Sequence, residues 1–300
     1  MEFRRGILCG IGAYVIWGAS PIYWNAIKRV PPFEVLSWRV LWALLLLLIV
    51  LFARRHATVL RSSLMHRRTL AIAMASGGFL TVNWALFIWA VTNGHIVEVS
   101  LGYYINPLIS VMFGVVLLRE RLSHGARIAV AIATLGVGVM ALTAGQPPWI
   151  SLCLAVTFAL YGLLKKRADA APPVEGLLIE VGTAAVPLGF YLAYLIVHEQ
   201  SVIVSSTDDW ALLPISGVIT VVPLLLFGIA AQRIPLSTIG MLQYLAPTLH
   251  LILGVMLYGE EITPGEMFGF ASVWIALGIF SIDSLRAMRA NAAAGCGEAS

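Results

Sequence analysis

Two stretches of this sequence, 140 residues apart, follow the same pattern. The first runs from Leu101 to Leu122 as LGYYINPLISVMFGVVLLRERL, and the second runs from Met241 to Ile262 as MLQYLAPTLHLILGVMLYGEEI. Laid over each other without a gap, they pair Tyr104 with Tyr244, Pro107 with Pro247, Gly114 with Gly254, and Glu120 with Glu260. Apolar residues recur by chance, but proline, tyrosine and glutamate at one constant spacing do not. The chain is therefore predicted to consist of two related halves.

Each half contains five apolar runs of the length that crosses a lipid bilayer. The hydrocarbon core is about 30 Å thick and needs roughly 20 apolar residues per helix. The ten runs lie near residues 6–26, 35–53, 70–92, 96–118, 126–144, 149–164, 175–197, 211–232, 236–258 and 266–284. Only 11% of the residues are charged, against about a quarter in a soluble domain. The predicted fold is an all-α integral membrane protein with ten transmembrane helices.

The number of predicted spans in each half is odd, so the second half must enter the membrane from the opposite side. We predict a first five-helix repeat over residues 1–146, an inverted repeat over residues 147–285 and a disordered cytoplasmic tail over residues 286–300. Inverted repeats are typical of secondary transporters, whose two halves can open a central site to each side in turn. A duplicated scaffold without transport is the alternative.

The positions of the basic residues predict the orientation. Lysine and arginine favour the cytoplasmic side of a membrane protein. With the N-terminus in the cytoplasm, 16 of the 19 basic residues fall in inner segments, and only Lys28 and Arg29 fall in outer loops. Both termini are therefore predicted to be cytoplasmic. The net charge of +4 is explained by inner loops that meet anionic lipid headgroups, so no nucleic acid partner is needed.

Proline interrupts the fourth and ninth spans at equivalent positions, Pro107 and Pro247. Proline removes a hydrogen bond within a helix and bends it. Such a break is tolerated inside a membrane where neighbouring groups or a cavity satisfy the freed carbonyls. We therefore predict helix breaks with a gating role at both prolines, with a simple packing kink as the alternative.

Two opposite charges lie inside spans at repeat-related positions, Arg39 in the second span and Glu180 in the seventh. Charged residues in a membrane are costly and often functional. They are predicted to contribute to the substrate site, either as an ion pair or by each facing the cavity; separate burial near the two interfaces is the alternative. His250 in the ninth span is also assigned to the site, and it leaves proton coupling open because histidine titrates near neutral pH.

Aromatic and neutral polar residues complete the predicted substrate site. They are Trp17, Trp42, Asn83, Tyr103, Tyr104, Asn106, Tyr161, Gln243 and Tyr244. A pocket of aromatic faces with a few amides and hydroxyls suits small amphipathic solutes, and the rings offer cation–π contacts to amines. Tyrosine and tryptophan near the ends of spans also form interface belts, which is the structural alternative.

The sequence contains none of the motifs that would indicate an enzyme. It has no G-x-S-x-G, H-E-x-x-H, Walker A or G-x-G-x-x-G pattern, so ATP is not expected to drive this chain directly. Its three cysteines show no metal-binding or redox spacing. We therefore expect no enzymatic activity, no cofactor and no bound metal.

Several motifs identify a family resemblance over nearly the whole chain. The stretches GILCGIGAYVIWGASPIYW, SLGYYINPLISVMFGVVLLRERLS and IPLSTIGMLQYLAPTLHLILGVMLYGEEITP resemble the RarD-like branch of the EamA family, in the drug/metabolite transporter superfamily. The resemblance implies ten helices as two inverted repeats in the bacterial inner membrane. It also implies a cavity lined mainly by spans 1–4 and 6–9. Tyr103, Tyr104 and Asn106 fall in the GY…NP pattern of this branch, and Gln243 and Tyr244 fall in its LQY-x-AP pattern.

The sequence thus favours a secondary transporter of small amphipathic organic solutes, either amino-acid-like metabolites or drugs. Export by alternating access at a central cavity is the expected mode. An uptake carrier and a scaffold or sensor that transports nothing are the alternatives. Substrate identity, proton coupling and a homodimer are left open.

Overall fold

The computed structural model describes residues 2–143, 148–167, 170–205, 210–258 and 264–297. This part of the chain is almost entirely helical and contains no β-strand. In chain order the helices are α1 (Glu2–Ala26), α2 (Pro32–Ala53), α3 (Ala57–Met65), α4 (Arg67–Thr92), α5 (Ile96–Val116), α6 (His124–Thr143), α7 (Trp149–Lys165), α8 (Pro173–Val197), α9 (Val202–Ser205), α10 (Leu213–Arg233), α11 (Leu236–Gln243), α12 (Leu245–Tyr258) and α13 (Pro264–Gly297). The predicted all-α class is confirmed for these residues.

Eight helical segments of the described chain are long and apolar enough to cross a membrane. They lie in α1, α2, α4, α5, α6, α8, α10 and the pair α11–α12, which is counted from Leu236 to Leu257. Two further apolar segments are shorter, namely α7 and the part Met267–Asp283 of α13. The chain is therefore a multi-pass membrane protein, whereas the count of ten spans stays a prediction.

Three helical features were not expected from the sequence. The short helices α3 and α9 lie in the connections that precede α4 and α10. Neither helix is long enough to form a span, so a search for apolar runs misses both. The last helix continues to Gly297 and so includes most of the segment for which the sequence predicts a disordered tail.

The two repeat-related prolines act differently. The regular α-helix is interrupted at Tyr244, between α11 and α12, although this residue keeps helical backbone angles. Pro247 therefore lies in the first turn of α12. A proline there is tolerated because its missing N–H would have no partner within the helix. In contrast, α5 continues as one helix across Pro107, and a gating role at this proline stays a prediction. Gly102 packs on the backbone of α7 at Ser151, and Gly240 packs on the carbonyl of Pro107.

The helices of the first half pack mainly on helices of the second half. The helix pairs with the most extensive contacts are α1 with α10, α2 with α8 and α10, α4 with α7 and α8, α5 with α7 and α11, and α6 with α13. Contacts within a half, such as α2 with α4, are much smaller. The core is therefore shared, and neither half has a core of its own.

Two helix crossings repeat the offset seen in the sequence. A Cβ atom added to Gly77 of α4 would lie 2.8 Å from the Cα and carbonyl oxygen of Glu180 in α8. A Cβ atom added to Gly217 of α10 would lie 2.8 Å from the carbonyl carbon of Trp42 in α2. Both positions therefore require glycine, because the facing backbones touch. The pattern shared by the two halves is thus also a pattern of equivalent contacts.

Contacts between helix ends define two ends of the bundle. At one end, which we call the basic end, the Arg233 side chain pairs with Glu2 at 2.7 Å, and the Lys166 ammonium donates to the carbonyl of Ile234 at 2.6 Å. Glu120 also lies at this end, against the start of α11. At the other end, which we call the opposite end, the Tyr23 hydroxyl donates to the carbonyl of Leu212 at 2.9 Å.

At each end of the bundle, a buried glutamate binds the segment that connects two helices. Glu34 in the first turn of α2 accepts hydrogen bonds from the Ser201 hydroxyl at 2.5 Å and from the N–H groups of Val202 and Ile203 at 3.0 and 3.2 Å. Its counterpart at an offset of 141, Glu175 in the first turn of α8, lies 2.8 Å from Nδ1 of His56. Each glutamate therefore holds a connection that belongs to the other half of the chain.

We expect Glu34→Gln to destabilise the folded protein by about 1–2 kcal/mol, because hydrogen bonds to a charged group are stronger than those to an amide. The amide would also place a donor group against one of the two N–H groups of α9, because Val202 and Ile203 donate to different oxygens of Glu34. The free energy of unfolding in mixed detergent micelles measures the effect. Glu199→Gln is the control, since Glu199 is exposed in the same connection. Equal stabilities for the two variants would contradict the role of Glu34.

Candidate functional site

A cavity of about 180 Å³ lies inside the bundle, in the half towards the opposite end. Its wall takes residues from α1, α2, α4, α5, α7, α10, α11 and α12, so both halves of the chain contribute. The members of the predicted site that line it are Trp17, Arg39, Asn83, Tyr103, Asn106, Gln243, Pro247 and His250. No residue of α6 or α13 is among the lining residues that the structure describes.

Other members of the predicted site lie outside this lining: Trp42, Tyr104, Pro107, Tyr161, Glu180 and Tyr244. Tyr104 and Tyr244 are buried in the packing between helices. The Tyr244 hydroxyl donates to the carbonyl of Tyr104 at 3.3 Å, and the Tyr104 ring meets the edge of Phe270. The repeated tyrosines therefore join the fourth and ninth spans to each other and do not face the cavity.

Glu180 forms a buried ion pair with Lys165, which lies one residue past the predicted sixth span. Its Oε1 lies 2.6 Å from the ammonium of Lys165, the last residue of α7. The Tyr161 hydroxyl donates to its Oε2 at 3.3 Å. No ion pair joins Glu180 to Arg39 among the described residues, and the Glu180 carboxylate is taken up by Lys165. Of these two side chains, only Arg39 lines the cavity.

An aromatic floor closes the cavity towards the basic end; it consists of Tyr14, Trp17, Phe158, Tyr161 and Phe227. The ring centroids of Trp17 lie 5.8 Å from Phe158 and 5.9 Å from Phe227. Tyr161 stacks on Phe227 at 5.5 Å. Because Tyr161 also donates to Glu180, the floor separates the cavity from the buried ion pair.

Closer to the basic end, Glu120 holds the start of α11. Its carboxylate accepts from the N–H groups of Leu236 and Ser237 at 2.7 and 2.9 Å and from the Ser237 hydroxyl at 2.7 Å. These N–H groups begin a helix and have no partner within it. The counterpart of Glu120 in the repeat, Glu260, lies outside the described residues. Among the described residues between the floor and the basic end, carboxylates thus connect neighbouring helices: Glu120 binds the start of α11, and Glu180 binds Lys165 of α7.

Arg39 provides a positive charge at the cavity wall. Its guanidinium carbon lies 4.4 Å from the centroid of Trp84 and 5.3 Å from that of Trp24. Its Nε is buried and has no hydrogen-bond partner. Among the described residues no carboxylate forms an ion pair with it. The wall therefore combines a cation with aromatic faces. Trp24 and Trp84 belong to the site because they contact Arg39, and they are not among the residues predicted for the site from the sequence.

Neutral polar groups complete the wall. The Asn83 amide donates to the carbonyl of Leu154 and to the Thr157 hydroxyl, both at 2.9 Å, so its donors are used in packing. The Gln243 amide donates to the Ser110 hydroxyl at 3.1 Å. The side-chain carbonyl oxygens of Gln243 and Asn106 are buried and have no partner among the described residues. These two oxygens can accept hydrogen bonds from a solute.

His250 faces the cavity from α12, where its Nε2 lies 3.2 Å from the carbonyl of Trp17 and therefore donates to it. Its ring meets the edge of Tyr103 with centroids 5.8 Å apart. The described residues contain no group of three His, Cys, Asp or Glu that could hold a metal ion. The chemistry of this wall is therefore recognition by charge, hydrogen bonding and aromatic contact.

Comparisons with known proteins agree over nearly the whole chain. The sequence matches the EamA-like transporter family over residues 4–142 and again over residues 148–282. It is 41% identical to Protein RarD of Streptomyces exfoliatus, covering 96% of this chain and 91% of that protein. It is 39% identical to an uncharacterized transporter of Pseudomonas aeruginosa, covering 96% and 97%, and 38% identical to Protein RarD of Escherichia coli, covering 96% and 97%. A crystal structure with 18% identity superposes with a TM-score of 0.69 over 91% of this chain and 96% of the other; this shows a shared fold.

Proposed function

The chain belongs to the EamA-like transporter family, and from this premise we propose that it is a secondary transporter that exports small amphipathic organic solutes by alternating access. Its relatives carry the names of transporters, and it is a multi-pass protein of the bacterial inner membrane. The observation that carries the proposal is the cavity inside the bundle, whose wall combines Arg39, two free amide oxygens and aromatic rings.

The proposed topology has ten spans in two inverted five-helix repeats, with both termini in the cytoplasm. Support comes from the equivalent crossings at Gly77 and Gly217 and from the glutamates at opposite ends, Glu34 and Glu175. The excess of basic residues at the basic end favours its placement in the cytoplasm. The cavity then lies in the periplasmic half, and the aromatic floor is the closed side.

Alternating access requires the floor and the contacts below it to open while the opposite end closes. An inverted repeat makes two such states accessible, because the halves can exchange conformations. The contacts that must separate include the Tyr161–Phe227 stack and the bonds of Glu120 to α11. Export would load the solute from the open cytoplasmic side, and uptake would use the same cycle in reverse.

The test is solute counterflow in proteoliposomes with a panel of amino acids, aromatic metabolites and amphenicol drugs. We expect Ala246→Phe to lower the counterflow rate at least about tenfold, since the added ring fills volume that the solute needs. Ala246 lines the cavity and is buried. Ala75→Phe is the matched control, because Ala75 is exposed on α4, and it should keep the wild-type rate.

Silence of the whole panel with folded protein would contradict the carrier and favour a scaffold or sensor. Equal counterflow rates for Ala246→Phe and Ala75→Phe would mean that the solute does not pass through this cavity. The direction is tested separately with inside-out vesicles from cells that express the protein. Accumulation of the active solute inside such vesicles supports export, and its absence there together with accumulation in right-side-out vesicles supports uptake.

A further inference from the structure

The buried carboxylates of the described chain have ion-pair or hydrogen-bond partners, whereas Arg39 has no counter-charge and its Nε has no hydrogen-bond partner. Glu180 pairs with Lys165, and Glu175 pairs with His56. Glu34 accepts three hydrogen bonds from the chain that begins α9. Arg39 has the Trp84 and Trp24 rings beside it and a buried Nε without a partner. Its charge therefore remains available at the cavity wall.

The free-energy cost of an unpaired arginine at this depth suggests that the residue serves a binding site. Burying a charge is expensive unless it is paired and hydrogen-bonded, and an arginine inside a membrane usually marks a site. Contacts with aromatic faces stabilise a guanidinium only modestly, and the Nε–H of Arg39 has no acceptor. A planar guanidinium presents its N–H donors in a fork that matches a carboxylate. The missing partner is thus a group with two acceptor oxygens.

The same cavity offers the opposite polarity in its two amide oxygens. The side-chain oxygens of Asn106 and Gln243 are buried acceptors without a partner in the described chain. A buried acceptor left unsatisfied is costly, so these oxygens favour a ligand with N–H or O–H donors. The aromatic rings of Trp17, Tyr103 and Phe158 also line the cavity and suit an apolar body between the two polar ends.

We propose that the solute is a small monocarboxylate with a hydrogen-bond donor: its carboxylate pairs with Arg39, its donor meets Asn106 and Gln243, and its apolar body contacts the aromatic wall. This rests on the proposed function, since it names the substrate class of the same cavity. One cation and a cavity of about 180 Å³ fit a single carboxylate better than a polyanion.

The test uses four related probes: phenylalanine, phenylalaninamide, 3-phenylpropanoate and phenethylamine. They keep the ring and remove the carboxylate charge, the amine or the whole carboxylate in turn. Binding is measured by isothermal titration calorimetry with the full chain in detergent. We expect phenylalanine to bind about 10- to 100-fold more tightly than its amide, the range for a lost charge-assisted hydrogen bond. Loss of the amine in 3-phenylpropanoate should weaken binding less.

Two variants of Arg39 test whether this side chain causes the preference for phenylalanine over phenylalaninamide. Arg39→Gln should remove the difference between acid and amide, and Arg39→Lys should keep part of it, because a lysine retains the charge and loses the fork. Arg127→Gln is the matched control, since Arg127 is exposed on α6. Thermal unfolding of each variant in detergent confirms that it is folded before binding is compared.

The outcomes separate this inference from the proposed function. An amide that binds the wild type as tightly as the acid, a preference that survives Arg39→Gln, or no binding by any probe would overturn the monocarboxylate assignment. Counterflow of neutral or cationic solutes alone would keep the transporter and overturn the assignment. Carboxylate binding that needs Arg39, without counterflow of any solute, would keep the assignment and overturn the transporter.

Discussion

Replacing Lys165 with methionine should destabilise the folded protein by about 3–5 kcal/mol, because it leaves the charge of Glu180 buried without a partner. Lys165 and Glu180 are both almost fully buried, and their charged atoms are 2.6 Å apart. The Tyr161 hydroxyl also donates to Glu180, but a neutral donor does not replace an ammonium. The free energy of unfolding in mixed detergent micelles measures this loss.

The double variant Lys165→Met/Glu180→Gln should recover most of the lost stability, since removing both charges also removes the cost of burying them. Glu180→Gln alone leaves Lys165 unpaired and should resemble Lys165→Met. Lys28→Met is the control, because Lys28 is exposed in the connection before α2. A double variant as unstable as both single losses combined would show that the two charges do not interact. Glu180→Gln should also keep the preference for acid over amide, because Glu180 lies outside the cavity.

The second large effect is expected at the helix crossings. Gly77→Val should destabilise the protein by about 3 kcal/mol, since overpacking a tight contact forces the backbones apart. The backbone of Glu180 lies where the new Cβ would be placed. Gly217→Val should behave alike against Trp42, and the two losses should add because the crossings share no residues.

The neighbouring Gly78 provides the matched control for Gly77. A Cβ at Gly78 meets no atom within 4 Å, so Gly78→Val should change stability by less than about 1 kcal/mol. Gly182 on α8 is equally open and serves as the control for Gly217. Similar unfolding free energies for Gly77→Val and Gly78→Val would mean that α4 and α8 adjust without cost, and the crossing would not be the close contact described.

The sequence predicts the helices well because apolar runs of about 20 residues have few other stable forms in a membrane. It also identifies several residues that the structure places around one cavity, among them Arg39, Asn83 and His250. These are polar residues within apolar runs, and the cost of burying them makes them conspicuous. Composition and spacing therefore give the fold class and part of the wall.

Other features depend on which helices become neighbours, and the sequence does not give that. Lys165 is at the last position of α7 and reads as a loop residue, yet it pairs with Glu180 from another helix. Tyr104 and Tyr244 are predicted as pocket residues because they repeat, but the two residues take part in the contact between α5 and the junction of α11 with α12. Trp24 and Trp84 are common interface residues by composition, and only the position of Arg39 between them makes them part of the site.

The sharing of one core between the halves has a consequence for biosynthesis. When the ribosome has completed α6, the surfaces of α1, α2, α4 and α5 that will contact α7, α8 and α10 have no partner yet. The carboxylate of Glu34 has its hydrogen-bond donors only after residues 201–203 have been synthesised. We therefore expect the nascent first half to keep these contact surfaces unpaired in the membrane until the second half is inserted.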